Sequence, residues 1–312
     1  MTAIQTENLC KAYGTVKALD GLTLTVEPGT VFGFLGPNGA GKSTTIRLLT
    51  GLARPTSGAG QVAGVEISDH RRLAKHIGYL PEEPGFYGWM TPVEFLEHVG
   101  RLFGLTNQEY RQRARELLDQ VGLAQAGKRR IAGFSRGMRQ RLGLAQALVS
   151  RPEVLLLDEP VSALDPAGRK EVLEMIVQLR SRCTVFMSTH ILADVERVCD
   201  AVGIINQGKL VVEARQAELL SRYTIPAFEL ECEQGYETAF KGWVEGLARL
   251  EWVNSTNVNG TIARVVVKDL EAGRQALLPE VVRSGVVLRR YEIVTPSLED
   301  IFLRLVGQET TL

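Results

Sequence analysis

The stretch GPNGAGKST, residues 36–44, has the glycine and lysine spacing of a loop that binds phosphate groups. Its glycines allow the backbone to curl so that N–H groups face phosphate oxygens, and Lys42 brings a positive charge to the β- and γ-phosphates. Ser43 offers a hydroxyl to Mg²⁺, and Thr44 offers a phosphate contact at the start of a helix. We therefore expect nucleotide phosphates and Mg²⁺ to bind at Gly36, Asn38, Gly39, Ala40, Gly41, Lys42, Ser43 and Thr44.

Two acidic residues follow the apolar run of VLLLDEP, at the carboxyl end of a predicted buried strand. A phosphate loop needs a carboxylate on a neighbouring strand to hold the metal ion, and Asp158 fits this role. Glu159 would face the γ-phosphate and is the candidate base for the attacking water. His190 ends the next apolar strand, so a parallel sheet brings it to the same edge. A lone strand-end histidine is more often structural, but three converging strand ends favour a hydrogen bond that orients Glu159 or the water.

Strands and helices alternate along the chain, and this order positions the candidate residues. VFGFL, residues 31–35, is an apolar strand that leads through the loop into a helix, and residues 153–160 and 183–190 contain further buried strands. AVGIINQGKLVVEA predicts a hairpin that turns at Gln207-Gly208. The expected fold class is α/β, the mostly parallel sheet of a P-loop NTPase, with ligands at the carboxyl ends of its strands.

An all-α insertion is predicted over residues of about 85–150. One of its helices begins with a capping box, in which Thr91 is the N-cap, Pro92 takes the first helical position and Glu94 closes the box. Another helix follows from the helical spacing of apolar residues in GFSRGMRQRLGLAQAL, residues 133–148. Ser135 stands at the N-terminus of this second helix, where free backbone N–H groups favour an anion.

The chain changes character near residue 222, which predicts domains of residues 1–222 and 223–312. The second domain has the order β-α-β-β-α-β of a small ferredoxin-like α+β fold. Its hairpin is predicted to turn at Asn259-Gly260, a helix contains a proline that permits a bend, and SLEDIFLRLVG predicts a final helix. This domain contains no recognisable catalytic group of residues.

Composition restricts the partners and the compartment. Lysine and arginine total 36, as do aspartate and glutamate, so the basic excess of a nucleic-acid-binding protein is missing and no nucleic-acid partner is expected. The four scattered cysteines favour free thiols in a reducing cytoplasm. No window reaches the ~18 apolar residues of a membrane helix, and no signal-peptide core is present. We expect a soluble, cytoplasmic protein whose membrane contact depends on a partner.

Six motifs in this order resemble those of the ATP-binding-cassette (ABC) ATPases over residues 1–222. They are the phosphate loop, GYLPEE in the place of the family's Q-loop, FSRGM in the place of its signature, the Asp158-Glu159 strand end, SALDP in the place of its D-loop, and His190 as its switch histidine. The resemblance implies an ATPase that binds ATP and Mg²⁺.

The resemblance also implies that two ATPase domains pack head to tail around ATP. Ser135 and the N–H of Gly137 would then bind the γ-phosphate held by a second copy of the chain or a paralogous ATPase. Tyr13 would stack on adenine, Asp165 of the D-loop would contact the nucleotide, and Glu82 of the Q-loop would reach Mg²⁺ or its water.

Three residues depart from the family pattern. Arg136 and Met138 replace the usual glycine and glutamine of the signature, and Glu82 replaces the glutamine of the Q-loop. FSRGM together with YLPEE resembles the subgroup with separate ATPase and membrane chains, which are mostly exporters. The implied function is an ATP-hydrolysing subunit that energises a polytopic permease from the inner face of the membrane. Drug or antibiotic export follows only at the level of the family, and the alternative is a soluble ABC ATPase acting on nucleic acid or ribosomes.

Aromatic residues are dense in PGFYGWMTP, residues 84–92, near the groove that binds the membrane subunit in ABC transporters. Aromatic residues and methionine are common at contact patches. The same residues could cover the core of the insertion, and both interpretations hold if Trp89 points inward and Tyr87 outward. The tail resembles an accessory domain of exporter ATPases, which we expect to support dimerisation or to tune ATPase activity.

Overall fold

The computed structural model describes residues 2–162, 164–223, 226–294, 298 and 301–302, and its contacts divide the chain into two units. One unit ends at Ala217 and the other begins at Glu218. This division falls within the helix Gln216–Tyr223, which also contains the predicted boundary at residue 222.

The first unit contains two sheets and the helices that pack against them. Its elements are β1 (Ile4–Tyr13), β2 (Val16–Val26), β3 (Val31–Leu35), α1 (Lys42–Leu49), β4 (Ser57–Val62), β5 (Val65–Glu66), α2 (His70–Leu73), β6 (Ile77–Leu80), α3 (Pro92–Leu102), α4 (Asn107–Gln120), α5 (Arg136–Ala147), β7 (Val154–Asp158), α6 (Pro166–Leu179), β8 (Thr184–Thr189), α7 (Leu192–Val198), β9 (Ala201–Asn206) and β10 (Lys209–Arg215), followed by α8 (Gln216–Tyr223) at the division.

The larger sheet has the strand order β10-β9-β3-β8-β7-β6, and its neighbouring strands are parallel except for β10 and β9. Strands β3, β7 and β8 are buried along their whole length, as parallel strands covered on both faces are. Leu35 pairs with Thr189 and Asp158 with Ser188, so the carboxyl ends of these strands meet at one edge. The predicted α/β class with a mostly parallel sheet is confirmed.

A second sheet, of order β2-β1-β4-β5, is antiparallel and is not anticipated in the sequence analysis. Strand β1 lacks a strict alternation of apolar and polar residues because its pairing with β2 shifts register between Thr6 and Ala12. Helix α1 contacts strands of both sheets, and its Ile46 is buried in one apolar cluster with Leu24 of β2 and Phe186 of β8. The phosphate loop therefore ends on a helix that is held from two sides.

The predicted all-α insertion is built from α3, α4 and α5. Helix α3 begins with the predicted capping box of Thr91 and Glu94, and α4 has a second box formed by Thr106 and Glu109. Helix α5 packs very closely on β6. A Cβ at Gly143 would lie 2.6 Å from Leu80 Cδ1. This contact fixes the distance between the second half of α5 and the end of β6.

The second unit contains β11 (Ala227–Cys232), α9 (Glu237–Leu247), β12 (Val253–Asn259), β13 (Ile262–Val267), α10 (Leu270–Ser284) and β14 (Leu288–Val294). This is the predicted β-α-β-β-α-β order, and the strands form an antiparallel sheet of order β12-β13-β11-β14. Helix α10 continues through Pro279. The predicted final helix over residues 297–307 lies largely outside the described residues. Within this range the structure describes Leu298, Ile301 and Phe302, which are helical.

The two hairpin predictions have different outcomes. The β9–β10 hairpin turns at Gln207 and Gly208, as predicted, and both residues have positive φ. In the β12–β13 hairpin, Asn259 still pairs with Ile262, so the turn lies at Gly260 and the residue after it, one position later than predicted. The turn can begin at residue 260 because the first central position of such a turn needs a positive φ, and Gly260 adopts a φ of 60° without steric cost.

Candidate functional site

The phosphate loop connects the carboxyl end of β3 to the first residue of α1 and lies close to neighbouring backbone. A Cβ at Gly36 would lie 2.4 Å from the carbonyl oxygen of Ile205, and one at Gly41 would lie 2.6 Å from that of Ala18. Gly41 also precedes α1 with φ of 112°, which a residue with a side chain rarely adopts. Within the described chain, no side chain caps α1, so the N–H groups of its first turn are free to bind an anion.

A cleft of about 240 Å³ lies over the loop and gathers much of the predicted site. It is lined by Ala18, Asn38, Gly39, Gly41, Lys42, Ser43, Thr44, Glu82, Glu159 and His190. Gly36 and Ala40 are buried residues of the same loop, outside this lining. The cleft therefore joins the phosphate loop to residues from the carboxyl ends of β6, β7 and β8.

Ser43 and Asp158 form the oxygen pair that was predicted to hold Mg²⁺. The Ser43 hydroxyl donates a hydrogen bond of 3.0 Å to Oδ1 of buried Asp158. Ser188 donates to the same oxygen at 2.7 Å. Hydroxyl and carboxylate oxygens are the donors that Mg²⁺ prefers, and their position beside the phosphate loop fits an ion bound together with nucleotide phosphates.

Glu159 connects the loop lysine to the strand-end histidine. Its Oε1 lies 3.4 Å from Lys42 Nζ, and both side chains are buried. Lys42 Nζ also donates a hydrogen bond of 2.8 Å to the carbonyl of Gly36. His190 Nδ1 lies 3.0 Å from each carboxylate oxygen of Glu159, so a proton on Nδ1 gives a hydrogen bond to that carboxylate. The predicted convergence of Lys42, Glu159 and His190 is present in the structure.

The backbone at Glu159 is unusual, with φ of 46° in a residue that is not glycine. Its N–H donates to Ser188 Oγ at 3.1 Å, which holds the strand end in this conformation. Ser188 therefore contacts both acidic residues, yet the sequence analysis did not assign it a role. The signal was its position two residues before His190, where the apolar run of residues 185–187 in the strand gives way to hydroxyl side chains.

Two further titratable groups report the charge around these acids. Burial, and then the charge of Asp158, raise the pKa of Tyr79 above its ordinary value. Burial also raises the pKa of Asp194, while its salt bridge to Arg169 at 2.6 Å opposes this rise and the charge of Glu159 adds to it. Both groups are themselves partly buried, and each lies near enough to one acid of the strand end for its charge to raise the pKa.

Tyr13 lies at the end of β1 and does not line the cleft in this structure. Its side chain is 48% exposed, and Lys11 Nζ lies 4.9 Å from the centre of its ring. The ring is therefore accessible to a ligand. Stacking of Tyr13 on adenine stays a prediction.

Ser135, Gly137 and Asp165 also lie outside the lining of the phosphate cleft. Ser135 is the N-cap of α5, as predicted, and its hydroxyl accepts a hydrogen bond of 3.2 Å from the N–H of Met138. Gly137 is in the first turn of α5, and Asp165 is the N-cap of α6. A role of these residues at a nucleotide of another chain stays a prediction.

A second cleft, of about 500 Å³, lies between the residues after β6 and the start of α5. Glu82 lines both clefts and Arg136 lines the second one, so these two departures from the family pattern lie near the same space. Gln140 also lines the second cleft, and the sequence analysis did not single it out. It is only 7% exposed, and its Nε2 has no hydrogen-bond partner in the described part of the chain.

The aromatic stretch before α3 is divided between packing and exposure. Phe86 packs on Phe95 with ring centres 5.1 Å apart, so part of the stretch covers the insertion. Tyr87 and Trp89 are 53% and 62% exposed, with ring centres 6.0 Å apart. The outward orientation of Tyr87 is confirmed, whereas the inward orientation predicted for Trp89 is wrong. Phe86 takes the place against Phe95, while the Trp89 ring lies beside that of Tyr87 on the surface.

Comparisons with known proteins cover both units. Residues 19–162 match the family described as ABC transporter, and residues 216–306 match the C-terminal domain of DrrA1-3-like ATP-binding proteins. In the described ranges, no helix is both long and apolar enough to cross a bilayer.

Individual relatives extend this similarity to nearly the whole chain. The ABC transporter ATP-binding protein YxlF of Bacillus subtilis (strain 168) is 42% identical over 300 residues, which covers 96% of this chain and 98% of that one. The linearmycin resistance ATP-binding protein LnrL of the same strain is 35% identical over 312 residues, covering 98% of each. A solved structure of the ATP binding subunit of an ABC transporter aligns with a TM-score of 0.65 and 30% identity, over 71% of this chain and 93% of that one.

Proposed function

The chain belongs to the ABC transporter family of ATP-binding subunits, and from this premise we propose that it is the ATPase of an exporter with a separate, polytopic permease. The observation that carries the proposal is the contact of Glu159 with both Lys42 and His190 beside the phosphate loop. We assign residues 1–222 to the ATPase domain and residues 223–312 to an accessory domain.

The site residues divide the work of hydrolysis. The free N–H groups at the start of α1 and the ammonium of Lys42 bind the phosphates of ATP. Glu159 accepts the proton of the water that attacks the γ-phosphorus, and His190 holds that carboxylate in place and reaches the γ-phosphate. Glu159 acts on the water, whereas the loop and Lys42 bind the phosphates. Loss of the Glu159 carboxylate should therefore abolish turnover while ATP still binds.

Asp158 and Ser43 are the residues that would hold Mg²⁺, with Glu82 near enough to the cleft to contact it or its water. The ion supplies positive charge that neutralises the phosphate oxygens during phosphoryl transfer. Ser188 keeps Asp158 oriented through its 2.7 Å hydrogen bond.

ATP-driven dimerisation explains the residues that lie outside the phosphate cleft. The N-terminus of α5 has Ser135 as N-cap and Gly137 in its first turn, which is an arrangement suited to an anion. In the proposed head-to-tail dimer, these groups bind the γ-phosphate held by a second copy or a paralogous ATPase, with Asp165 at the interface. Tyr13 stacks on the adenine of its own chain's ATP.

The exposed pair of Tyr87 and Trp89 is the proposed contact for the permease. Two adjacent aromatic side chains of this exposure are typical of interface anchors. The buried and unpaired Nε2 of Gln140 is a donor that a partner group in the neighbouring cleft would satisfy. The permease would hold the chain at the inner face of the membrane.

Because a relative is named for linearmycin resistance, we propose an antibiotic or another drug as the exported substrate.

Co-purification tests the transporter assignment. A tagged Glu159→Gln chain, which traps ATP, is expressed in its native cell and solubilised gently with Mg-ATP. We expect a polytopic membrane protein to co-purify, and its identity would narrow the substrate. Recovery only from the soluble fraction, with ribosomes or DNA-bound proteins, would contradict the transporter role and support the soluble alternative.

A matched pair of variants tests the docking surface. Trp89→Ala in the same background should reduce recovery of the permease, because it removes a large apolar contact. Leu52→Ala is the control, since Leu52 is 66% exposed but lies in a different segment, after α1. Equal recovery of the permease with both variants would contradict the docking surface without affecting the assignment as an ATPase.

A further inference from the structure

Three arginines line a cavity of about 310 Å³ at the amino ends of β7 and β8. Arg151 lies just before β7, Arg182 lies just before β8, and Arg113 reaches the cavity from α4. The remaining lining is Gln120, Leu148, Pro152, Leu179 and Cys183. Because the phosphate cleft lies at the carboxyl ends of the same parallel strands, this arginine cavity is a separate site.

Arg113 is unusual for an arginine because its side chain is only 15% exposed. Its Nη2 donates a hydrogen bond of 2.7 Å to the carbonyl of Leu148, which anchors it at the cavity wall. Its Nε is buried and has no partner in the part of the chain that the structure describes. Burial lowers the pKa of Arg113, the charges of Arg151 and Arg182 lower it further, and the charge and hydrogen bond of Glu116 oppose this shift. A buried, unpaired donor therefore lies in a positive environment.

The acids near this cavity lie outside its lining, and Glu116 and Asp119 line a neighbouring pocket that shares Arg113 and Arg182 with it. Glu116 lies 3.6 Å from Arg113 Nη1, one turn along α4. The pKa of Glu109 is lowered mainly by its hydrogen bonds to Thr106, and the charge of Arg151 is the smallest cause. Neither acid lines the cavity. Arg182 has one hydrogen bond, 3.4 Å to Gln120 Oε1, and over the described ranges neither Arg151 nor Arg182 forms an ion pair with a carboxylate.

Arg151 also has a strained backbone, with φ of 54°. Glycine would adopt this conformation without steric cost, whereas a side chain opposes it. The conformation is held by the hydrogen bond from the Arg151 N–H to the carbonyl of Leu148, which is the same carbonyl that binds Arg113. One carbonyl thus positions two of the three arginines.

We propose that the arginine cavity binds the phosphate group of a small organic phosphate. Guanidinium groups donate paired hydrogen bonds to phosphate oxygens, and a doubly charged phosphate compensates three arginines better than one carboxylate does. Leu148, Leu179 and Pro152 give the cavity an apolar floor for the organic part of the ligand. Its volume is at the small end of the range for ligand sites, which limits the ligand to a small molecule.

Calorimetric titration with two probes tests this proposal. The full chain carries Lys42→Ala to suppress phosphate binding at the nucleotide loop, and it is titrated with phenyl phosphate and with inorganic phosphate. We expect phenyl phosphate to bind at least about tenfold more tightly, because its ring covers the apolar floor. Absence of heat with both probes at 10 mM, or equal binding of both, would contradict a site for an organic phosphate.

Matched variants assign the binding to the arginines. Arg182→Gln and Arg151→Gly should each weaken phenyl phosphate binding at least about tenfold, and Arg151→Gly also relieves the positive φ, so the fold should be retained. Arg115→Ala is the control, since Arg115 is exposed on α4 and does not line the cavity. Melting temperatures confirm that each variant is folded. Unchanged affinity in either cavity variant would overturn the proposal.

A sedimentation assay distinguishes a soluble phosphate from a lipid headgroup. Vesicles of neutral lipid with 20 mol% phosphatidic acid are mixed with the Lys42→Ala chain and with its Arg182→Gln derivative. A soluble ligand predicts that both chains stay in the supernatant. Sedimentation that Arg182→Gln abolishes would overturn the small-molecule assignment and identify a lipid as the source of the phosphate.

Discussion

Glu159 illustrates at the residue scale how geometry prepares a base. Its carboxylate is buried between the Lys42 ammonium and the His190 ring, and the N–H of the same residue is held by Ser188. A positive φ of 46° turns the chain at the end of β7 into this position. Residue types and spacing were sufficient to predict that Glu159 and His190 meet, because parallel strands end at one edge. The turn itself was not predictable, since non-glycine residues rarely adopt it.

Replacing Glu159 by glutamine tests the base directly. We expect Glu159→Gln to retain ATP binding and to lower the rate of ATP hydrolysis by about 100-fold or more, because a neutral amide cannot accept the proton. The measurement is phosphate release at saturating Mg-ATP, together with nucleotide binding. Glu153→Gln is the matched control, since Glu153 also contacts a histidine, His76 at 2.6 Å, at the opposite end of β7. Wild-type turnover in Glu159→Gln would exclude this role.

Ser188→Ala tests the support beneath both acids. The variant removes the hydrogen bond to Asp158 and one of the two acceptors of the Glu159 N–H, which also donates to the Ser188 carbonyl at 3.2 Å. We expect ATP turnover to fall about tenfold or more, because small displacements of a catalytic group are costly. Chemical denaturation should show a loss of about 1–3 kcal/mol in the free energy of unfolding, because the variant removes a buried hydrogen bond to the Asp158 carboxylate. Ser181→Ala, at an exposed serine near the end of α6, is the control, and equal turnover of both variants would reject the support role.

At the scale of elements, the contact of α5 with β6 links the signature helix to the cleft that contains Glu82. A side chain at position 143 requires a neighbour to shift, because a Cβ there would lie 2.6 Å from Leu80 Cδ1 and 3.1 Å from Pro84 Cβ. The helix could be predicted from its apolar spacing, as could its N-cap at Ser135. Its distance from β6 could not, because one sequence does not show which residues lie across from Gly143.

Gly143→Ala should therefore displace Leu80 or Pro84 and with them the loop that contains Glu82. We expect a loss of about 1–3 kcal/mol in the free energy of unfolding, as overpacking of a core contact usually causes. Gly242→Ala on α9 is the control, because a Cβ there meets nothing within 4 Å and alanine favours the helix by about 1 kcal/mol. Both stabilities are measured by urea denaturation. A stable Gly143→Ala chain would show that the contact has room to relax.

Sequence patterns differed in how well they predicted the other elements. The capping box of α3 and the hairpin at Gln207-Gly208 were predictable, because each depends on a few adjacent residues. The antiparallel sheet of β2, β1, β4 and β5 was not, since the bulges in β1 break the alternation on which strand prediction depends. Trp89 was placed inward so that the stretch could serve both the core and a contact patch, but Phe86 contacts the core and Trp89 is exposed, which one sequence does not reveal.

At the scale of the whole molecule, two units each have an apolar core of their own. The order of elements was sufficient to predict the mostly parallel sheet of the first unit and the β-α-β-β-α-β fold of the second. The position of the division was approximate, because the helix Gln216–Tyr223 spans it without a break in its pattern. The proposed accessory role of residues 223–312 depends on an effect of the second unit on dimers of the first.

Truncation tests that role. In the Glu159→Gln background, a chain ending at residue 222 should form ATP-dependent dimers about tenfold more weakly than the full chain, a difference of about 1.4 kcal/mol. Sedimentation velocity with Mg-ATP measures the dimer fraction over a range of concentrations. The melting temperature of the shortened chain and its ATP binding are the controls for folding. Equal dimerisation and equal ATPase activity of the truncated wild-type chain would reject the accessory role.

The ion pair between Lys42 and Glu159 has a consequence for nucleotide affinity. The carboxylate is an anion tethered beside the ammonium that also attracts ATP, so it acts as an internal competitor with a high effective concentration. While Glu159 is paired with Lys42, the ammonium is not available to ATP. The apparent dissociation constant of ATP is therefore higher than the constant for a chain with Lys42 free, in inverse proportion to the fraction of chains in which Lys42 is free. The proposed base would thus also set how much ATP is needed to begin hydrolysis.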